Sequence, residues 1–434
     1  MVNSFYTAYD DPKSMVDSLH STIDDTNFMW LAVTLVSLIV MLLVSKKLSN
    51  NRPGLLRTIY RLVVCRGRRL PGALTGVVFP IHAGELTPKM LTTMLRQGGH
   101  LGSGTSVIAV RDRLTKIRDG VKGDKAIIDV EYGGGGGCAV LPPAGLPTTF
   151  FVKFSIQKLS AMRLLCESSE VSACEALFYT HLAVECRETA PTPRCFFVDY
   201  NEVSGEFVLM SELMPFGEGK GEGAILPLKH RVRDAPSLGE QRRFAAVGAA
   251  LNAKYWGESA LRRGCLRFDA THARAWTIMQ ALSWLGLHHT TRKTLKGRPI
   301  PNANGYVTWR PPEELVGKEG ALIRDMPHIL TSLCEETEMI AFGHNDIVAD
   351  NAYFVRAGGV ADDAIASFGL FDWQQSCVNS IGQEWAWNWH WLPPDFLTKH
   401  EDELIDLLLA TVRRARPSNW RARETFRASC SAPV

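Results

Sequence analysis

The stretch AFGHNDIVADNAYFV, residues 341–355, sets polar side chains between two apolar runs and decides how the rest of the chain is interpreted. Asp346 and Asn351 are predicted to lie in a loop that leads into a strand. A second stretch, FGLFDWQQS at 368–376, ends a further apolar run with an acidic residue. NAYFV and FGLFD are predicted to pair as a hairpin, which places Asn351 beside Asp372.

An amide oxygen and a carboxylate on neighbouring strands form the hard-oxygen type of site that Mg²⁺ prefers. Asn351 and Asp372 are therefore the predicted metal ligands, with positions left for phosphate oxygens and water. Asp346 is predicted to lie above that metal, where an acceptor hydroxyl can offer its proton. As isolated residues, Asp346 and Asp372 are more typical of loop or capping positions, so the interpretation needs other parts of the chain.

A lysine inside an apolar strand is the second part. Lys153 stands in FFVKFS, residues 150–155, and burying its ammonium unpaired is costly. Either the side chain extends to the edge of the sheet, or it meets an anion and a carboxylate in a cleft. Glu175 on the next predicted helix can supply that carboxylate, and Glu170 and Glu167 compete for the role.

The third part is the glycine-containing segment GGHLGSGTSVIAV, residues 98–110. Glycines next to a strand let the backbone approach a phosphate closely, and hydroxyl side chains add donors. The segment lacks the third glycine of G-x-G-x-x-G, and glycines beside a strand more often form a simple turn. The candidate phosphate-binding residues are Gly102, Ser103, Gly104 and Thr105.

Strand-like segments precede helix-like segments along the chain, which favours an α+β protein with two unlike lobes around one cleft. The predicted strands are 104–117, 126–132 and 148–156, followed by a helix at 168–186 and a hairpin at 194–213 that turns at Ser204–Gly205. The later predicted helices are 241–257, 273–287 and 402–415.

Composition excludes some classes of protein. A net charge of +3 over 434 residues is too small to indicate nucleic-acid binding by itself. Ten cysteines are scattered without C-x-x-C pairs or Cys/His clusters, so reduced thiols are expected instead of a disulfide framework or a zinc site.

Residues 26–45, TNFMWLAVTLVSLIVMLLVS, contain no ionisable side chain. About 20 apolar residues in a helix cover the roughly 30 Å hydrocarbon core of a bilayer, and a single transmembrane helix is predicted. A buried core helix is the first alternative, but apolar residues fall on every face. A cleaved signal peptide is the second, and the polar residues that precede the run oppose it.

Charges on the two sides of this run differ in sign, which predicts its orientation. The preceding tail carries Asp10, Asp11, Asp17, Asp24 and Asp25 against Lys13, whereas Lys46, Lys47, Arg52, Arg57, Arg61, Arg66, Arg68 and Arg69 follow. Positive charge stays on the cytosolic side, so a single-pass protein with a cytosolic body is expected, in an endomembrane such as the endoplasmic reticulum. The basic segment is expected to rest on anionic lipid headgroups or to be solvated.

The order of these parts resembles that of protein-kinase-like enzymes: glycine loop, strand lysine, helix glutamate, H-x-D-x-x-x-x-N and a metal-binding aspartate. HNDIVADN (344–351) with LFDWQ (370–374) is more similar to the aminoglycoside-phosphotransferase and choline-kinase group, and in particular to its ecdysteroid-kinase-like branch. EALFY (175–179), LNAKYW (251–256) and VLMSEL (208–213) also resemble motifs of that branch.

This resemblance implies a two-lobed kinase-like fold and roles for individual residues. Asp346 would be the catalytic base, Asn351 and Asp372 would hold Mg²⁺, and Lys153, oriented by Glu175, would touch the ATP phosphates. Glu212 and Leu213 would line the adenine. The sequence departs from the family pattern at Asn345, Val348, Asn252 and Glu384, where the family has Gly, His or Trp, His and Asp.

The expected activity is transfer of the ATP γ-phosphoryl group to a small-molecule alcohol such as a choline-like or sterol-like compound. A catalytically weak pseudokinase scaffold is the alternative that the departures suggest. The Trp-rich stretch 384–396 is expected to pack in the core, although Trp389 or Trp391 can border an acceptor pocket. The expected organisation is a tail (1–25), the transmembrane helix (26–45), a basic juxtamembrane segment (46–85), the N-lobe (86–213), the C-lobe (214–420) and a tail (421–434).

Overall fold

The structure, a computed structural model, describes the following residues: 61, 77–114, 124–134, 138–156, 166–167, 170–214, 237–268, 300–301, 307–309, 325, 328–329, 331–333, 335, 337–356, 365–389 and 392–415. No helix among them is long and apolar enough to cross a bilayer. The predicted transmembrane run 26–45 and the predicted helix 273–287 lie outside the described residues.

The described helices and strands occur in short runs of one type along the chain. In order they are α1 (Pro88–Gln97), β1 (Ser106–Leu114), β2 (Asp124–Gly133), β3 (Ala139–Val140), β4 (Thr149–Phe154), α2 (Val171–His181), α3 (Ala183–Cys186), β5 (Cys195–Tyr200), β6 (Phe207–Glu212), α4 (Leu238–Lys254), β7 (Ile300–Pro301), β8 (Val307–Trp309), β9 (Ile340–Gly343), β10 (Ala352–Arg356), β11 (Ile365–Leu370), β12 (Cys377–Ser380), α5 (Ile381–Trp389) and α6 (Pro394–Ala415).

The chain divides into two compact units by its contacts. The first comprises Met1–Ile59 and Arg274–Ile329, and its described part includes the short antiparallel pair of β7 and β8. The second comprises Tyr60–Ala273 and Leu330–Val434 and holds all the other elements. Every predicted site residue lies in this second unit.

An antiparallel sheet with the strand order β1-β2-β4-β6-β5 forms the first half of the second unit, and β3 adds to β2. Its strands are rich in β-branched and aromatic residues, which suit a pleated, half-buried surface. The three predicted strands and the predicted hairpin are confirmed. Gly205, with φ +73°, provides the left-handed turn between β5 and β6.

Two hydrophobic cores lie on opposite faces of β6. Val208 and Met210 belong to a core formed by the sheet and α1, whereas Phe207 and Leu209 belong to a core formed mainly by helices and by the elements after β8. This division follows from the period of two along a strand, which sends successive side chains to opposite faces. The α+β character expected from the sequence is confirmed.

Two short antiparallel pairs follow the helix-rich part. β10 pairs with β11, with Ala352 opposite Leu370, which confirms the predicted hairpin. β9 pairs with β12, so the loop that follows β9 lies against the segment that follows the hairpin. Seven described cysteines are free thiols, as expected: Cys138, Cys166, Cys174, Cys186, Cys195, Cys265 and Cys377.

Part of the predicted juxtamembrane segment is buried in the folded unit. Val77, Phe79 and Ile81 belong to the sheet core. Arg61 is 1% exposed and donates to the Tyr200 hydroxyl over 2.8 Å. The expectation that this segment rests on lipid or in solvent is therefore wrong for Arg61, because its guanidinium is enclosed by protein groups.

Candidate active site

Lys153 is the centre of the candidate site and is almost completely buried in β4. Its Nζ lies 2.9 Å from a carboxylate oxygen of Glu175 and 2.7 Å from Oδ1 of Asp372. Burial by itself lowers the pKa of Lys153, but the carboxylates of Asp372 and Glu175 outweigh it and raise that pKa above its ordinary value. Lys153 therefore does not extend to the sheet edge, and its ammonium stays charged between two acids.

The choice among the three candidate glutamates follows from a second basic residue. Glu167 and Glu170 form ion pairs with Arg61, at 3.5 and 3.8 Å. Glu175, one turn into α2, is left to pair with Lys153. The two glutamates that precede α2 thus pair with Arg61, and of the three candidates only Glu175, within α2, reaches Lys153.

An aromatic stack fixes α2 against the segment that carries Asp372. The rings of Phe178 and Trp373 are 3.7 Å apart and nearly parallel, and the Trp373 indole donates to Thr192 Oγ1 over 3.1 Å. Phe178 follows Glu175 by three residues, and Trp373 directly follows Asp372. The aromatic residues of EALFY and FDWQ therefore hold the two acidic residues on either side of Lys153.

Asp372 has a left-handed backbone, with φ 63° and ψ 60°, which is uncommon for a residue other than glycine. Such a conformation is unfavourable and occurs often at functional sites. The N–H of the preceding residue, Phe371, donates to the Asn351 carbonyl over 3.0 Å. Asn351 and Asp372 are therefore adjacent at the end of the hairpin, as the sequence predicted.

Asp346 is mostly buried, and both of its carboxylate oxygens accept hydrogen bonds. Asn351 Nδ2 donates to Oδ2 over 2.9 Å, and Trp387 Nε1 donates to Oδ1 over 2.9 Å. The structure thus connects Lys153 to Asp372, and Asn351 both to the neighbour of Asp372 and to Asp346. The four predicted residues form one connected group.

The loop between β9 and β10 is anchored by Asn345, which stands where the pattern that the sequence resembles has glycine. Asn345 has φ +56°, a left-handed conformation that Asn tolerates better than most residues. Its Nδ2 lies 3.1 Å from the carbonyl oxygens of both Gln375 and Cys377, and its Oδ1 accepts from Asn379. This departure therefore preserves the backbone conformation and ties the loop to the segment after Asp372.

Glu384 supports the same loop from α5. Its carboxylate accepts the Asn345 N–H over 3.1 Å and Asn252 Nδ2 over 2.8 Å. Burial raises the pKa of Glu384, and these hydrogen bonds oppose the shift. Gly343 leaves room for this carboxylate, because a Cβ there would lie 2.0 Å from a Glu384 oxygen.

His344 is completely buried, and its Nε2 lies 3.0 Å from the Phe371 carbonyl oxygen. Burial lowers the pKa of His344 below its ordinary value, which favours a neutral ring that donates to this carbonyl. Val348, the remaining departure, is 8% exposed and apolar. Neither residue offers a charged group to the site.

The predicted phosphate-binding segment is placed elsewhere by the strand register. Ser106, directly after Thr105, pairs with Gly133, whereas Lys153 pairs with Lys125. Gly133 and Lys125 are eight residues apart along β2, which is about 26 Å at the rise of a strand. The prediction that Gly102, Ser103, Gly104 and Thr105 contact the phosphates is therefore wrong, since they lie at the opposite end of the sheet from Lys153.

That segment has a structural role beside α1. Arg96 donates to the carbonyl oxygens of Ser103 and Thr105 over 3.1 and 3.0 Å. A Cβ at Gly102 or Gly104 would have no atom within 4 Å, so neither glycine is required by a close approach. The β1–β2 connection, whose flanking residues Leu114 and Asp124 lie at the Lys153 end, falls outside the described residues.

Glu212 is the last residue of β6, and Leu213 follows it directly. Leu209 is opposite Lys153, so Glu212 lies about 10 Å further along β6. The Glu212 N–H donates to the Arg194 carbonyl over 2.8 Å, so this N–H is used in hydrogen bonding at the end of the sheet. Leu213 is half-buried. The adenine-lining role of Glu212 and Leu213 stays a prediction.

The donor atoms at Asn351 and Asp372 fit Mg²⁺. Asn351 uses its amide nitrogen on Asp346, so its amide oxygen points away from that carboxylate. With the Asp372 carboxylate it supplies hard-oxygen ligands. Within the described residues no group of three or more His, Cys, Asp or Glu could hold a metal ion, so further ligands would come from phosphate and water.

Sequence reasoning missed Trp387, whereas the expectation that the Trp-rich stretch packs in the core is confirmed for Trp385 and Trp389. Trp389 is 5% exposed and packs with Trp385 in the helical core, so it does not border a pocket, and Trp391 lies outside the described residues. Trp387 is half-buried and contacts Asp346. The spacing was the available signal, since Trp387 lies three residues after Glu384 and therefore on the same face of a helix.

Comparisons with known proteins give similarities to solved structures only. No protein-family model and no curated protein matches the sequence. Among solved structures, the chain is similar to a crystal structure of an aminoglycoside-3'-phosphotransferase of type VIII, with 15% identity, 78% of this chain and 96% of that chain covered, and a TM-score of 0.34. At this TM-score the similarity does not establish a shared fold.

Proposed function

We propose that this chain is an ATP-dependent phosphotransferase of the kinase-like type that moves the γ-phosphoryl group to the hydroxyl of a small-molecule alcohol. One observation carries the proposal: Lys153 is buried between Glu175 and Asp372. The residue before Asp372 is hydrogen-bonded to Asn351, which in turn donates to Asp346. A buried ion pair alone is weak support for a stabilising role. Perturbed charged groups that converge with a strained backbone are more typical of a functional site.

The charges of the group suit a nucleotide with a divalent cation. Two carboxylates face one ammonium at Lys153, and Asp346 adds a third acidic group nearby. Such an excess of negative charge needs a cation, and Lys153 remains available to phosphate oxygens. When bound by Asn351 and Asp372, Mg²⁺ would neutralise charge on the transferred phosphoryl group.

Each residue then has a defined task. Lys153 binds phosphate oxygens and Glu175 holds the lysine in place. The acceptor oxygen forms a bond to the γ-phosphorus as the bond from that phosphorus to the β-phosphate oxygen breaks, which releases ADP. Asp346 orients the acceptor hydroxyl and takes its proton. Leu213 and the end of β6 are proposed to border the adenine.

We also propose that the protein is anchored in an endomembrane through residues 26–45 with its body in the cytosol. The support is the uncharged run and the excess of basic residues after it. An anchored enzyme favours an acceptor that is itself lipid-like or sterol-like.

The experiment compares turnover with nucleotide binding in two variants of the full-length chain. Asp346→Asn is expected to lower turnover of Mg-ATP with an alcohol panel by about 10²- to 10⁴-fold, with the Mg-ATP thermal shift retained. Asp372→Ala is expected to remove the Mg²⁺-dependent part of that shift. Asp395→Asn, which changes an exposed acid at the start of α6, is the control and should behave as wild type.

Two results would contradict the proposal. Full activity of Asp346→Asn would remove the base from the mechanism. A wild-type chain without a thermal shift at millimolar Mg-ATP would favour the alternative, a scaffold that uses the same cleft for protein contact.

A further inference from the structure

Three residues on one face of α5 bind three consecutive residues of the candidate catalytic loop. Glu384 accepts the N–H of Asn345 over 3.1 Å. Trp387 donates to Asp346 over 2.9 Å. Asn388 Oδ1 accepts the N–H of Ile347 over 2.9 Å. The spacing of three and four residues places all three side chains on one helix face, so α5 fixes the loop residue by residue.

Among these three contacts, only the one from Trp387 reaches a side chain that the proposed mechanism uses. Glu384 and Asn388 hold backbone N–H groups, which sets the path of the loop. Trp387 holds Oδ1 of Asp346, while Asn351 holds Oδ2. The last torsion of an aspartate is broad, so one hydrogen bond leaves the plane of the carboxylate poorly fixed and two define it.

Burial distinguishes Trp387 from the tryptophans beside it. Trp385 and Trp389 are buried in the helical core, and the Trp389 indole nitrogen has no hydrogen-bond partner among the described residues. Trp387 is half-buried, and its indole N–H reaches the carboxylate. The Trp385 indole donates to Asn252 Oδ1 over 3.3 Å inside the core, and packing explains Trp389. Of these three tryptophans, only Trp387 donates to a carboxylate.

We propose that Trp387 is a positioning residue that orients the Asp346 carboxylate toward the acceptor hydroxyl. This inference rests on the proposed phosphotransfer and adds a residue that the kinase-like motif does not contain. Its contribution is geometric, because an error of about 1 Å in the position of a catalytic group lowers a rate by roughly 10²-fold. It leaves the nucleotide contacts at Lys153, Asn351 and Asp372 unchanged.

The test is Trp387→Phe in the full-length chain in detergent, which keeps an aromatic ring and removes the N–H. Phosphate release from Mg-ATP, with water as acceptor, gives kcat and KM. We expect kcat to fall by about 10- to 100-fold, with KM for ATP within about twofold of wild type and an unchanged Mg-ATP thermal shift. In the Asp346→Asn background, adding Trp387→Phe is expected to lower the residual rate no further, because Trp387 acts through Asp346.

Trp389→Phe is the matched control, since it makes the same change two residues away where the N–H has no described partner. Wild-type kcat in Trp387→Phe would overturn the inference while leaving the proposed function intact. Equal losses of kcat and of melting temperature in both variants would also overturn it, by showing a purely structural role. A wild-type chain with neither turnover nor a Mg-ATP shift would instead reject the proposed function, and the inference with it.

Discussion

Asn252 on α4 and Glu384 on α5 are joined by a 2.8 Å hydrogen bond between Nδ2 and Oε2. Both side chains are buried, and both depart from the family pattern that the sequence resembles, where His and Asp are expected. The Asn252 side chain is shorter than the His of that pattern, and the Glu384 side chain is longer than its Asp. Two departures that look independent in the sequence form one contact in the structure, and their lengths compensate.

Replacing Asn252 with the longer His and Glu384 with the shorter Asp should show that the two positions are coupled. Asn252→His is expected to overpack the buried site and Glu384→Asp to retract the carboxylate from the Asn345 N–H. Each should lower the free energy of unfolding by about 1–3 kcal/mol. The double variant should recover part of that loss, with a coupling free energy of roughly 0.5–3 kcal/mol.

Urea unfolding of the four proteins in this cycle measures the coupling. Additive losses, with no recovery in the double variant, would show that the contact does not link the two positions.

Gly343 is expected to be intolerant of a side chain. The Cβ of Gly343→Ala would meet the Glu384 carboxylate, so the loop or the carboxylate must move, at about 1–3 kcal/mol. Gly104→Ala is the matched control, because a Cβ there has open space. Thermal melts should show a lower melting temperature for Gly343→Ala alone.

The same control tests the position of the glycine segment relative to the nucleotide. Because Gly104 lies at the far end of the sheet from Lys153, Gly104→Ala should leave KM for ATP unchanged. A rise of about tenfold in KM would restore the phosphate-binding role that the strand register contradicts.

Stability should depend on pH through Glu384. Burial raises its pKa in the folded chain above the ordinary 4.5. Between these two values the folded state holds a proton that the unfolded state has released, so stability decreases as pH rises through this window. Glu384→Gln cannot titrate, and its stability relative to wild type should therefore increase as pH rises from 4.5.

Urea midpoints of wild type and Glu384→Gln, measured at intervals from pH 4.5 upward, check this sign. A stability difference that is constant with pH would show that Glu384 has the same pKa in both states.

Arg61→Ala is expected to destabilise the fold strongly. Its removal leaves Glu167, which is 7% exposed, without the nearby guanidinium, and breaking a buried pair in this way costs about 3–5 kcal/mol. Arg111→Ala is the control, because its ion pair with Glu131 is exposed and worth roughly 0–1 kcal/mol. Chemical unfolding of both variants should show a large loss for Arg61→Ala only, and equal small losses would count against this placement of Arg61.

The sequence predicted the hairpin at Asn351 and Asp372 because alternation along two short strands determines which residues face each other at its end. It also predicted the pair of Lys153 and Glu175, because a charged group in an apolar strand requires a partner and few candidates follow it. These inferences depend on local residue patterns and on the need of a buried charge for a partner. A single sequence shows both.

Other features depend on tertiary contacts that local patterns do not contain. The glycine segment was assigned to phosphate because glycine marks freedom of the backbone, but only strand register tells which end of the sheet it occupies. Arg61 was grouped with solvated basic residues, although acidic residues more than 100 positions later enclose it. Trp387 was not singled out, because the tryptophans next to it, Trp385 and Trp389, pack in the core.

Under the proposed anchoring, the burial of Arg61 would limit how far the folded body can move from a membrane. Arg61 lies 16 residues after Ser45, the last residue of the uncharged run, and a fully extended chain of that length spans at most about 55 Å. With the run inserted in a bilayer, as proposed, the body is restricted to a thin layer above the lipid surface. Acceptors dissolved in that leaflet would then be held at a high effective concentration relative to those free in the cytosol.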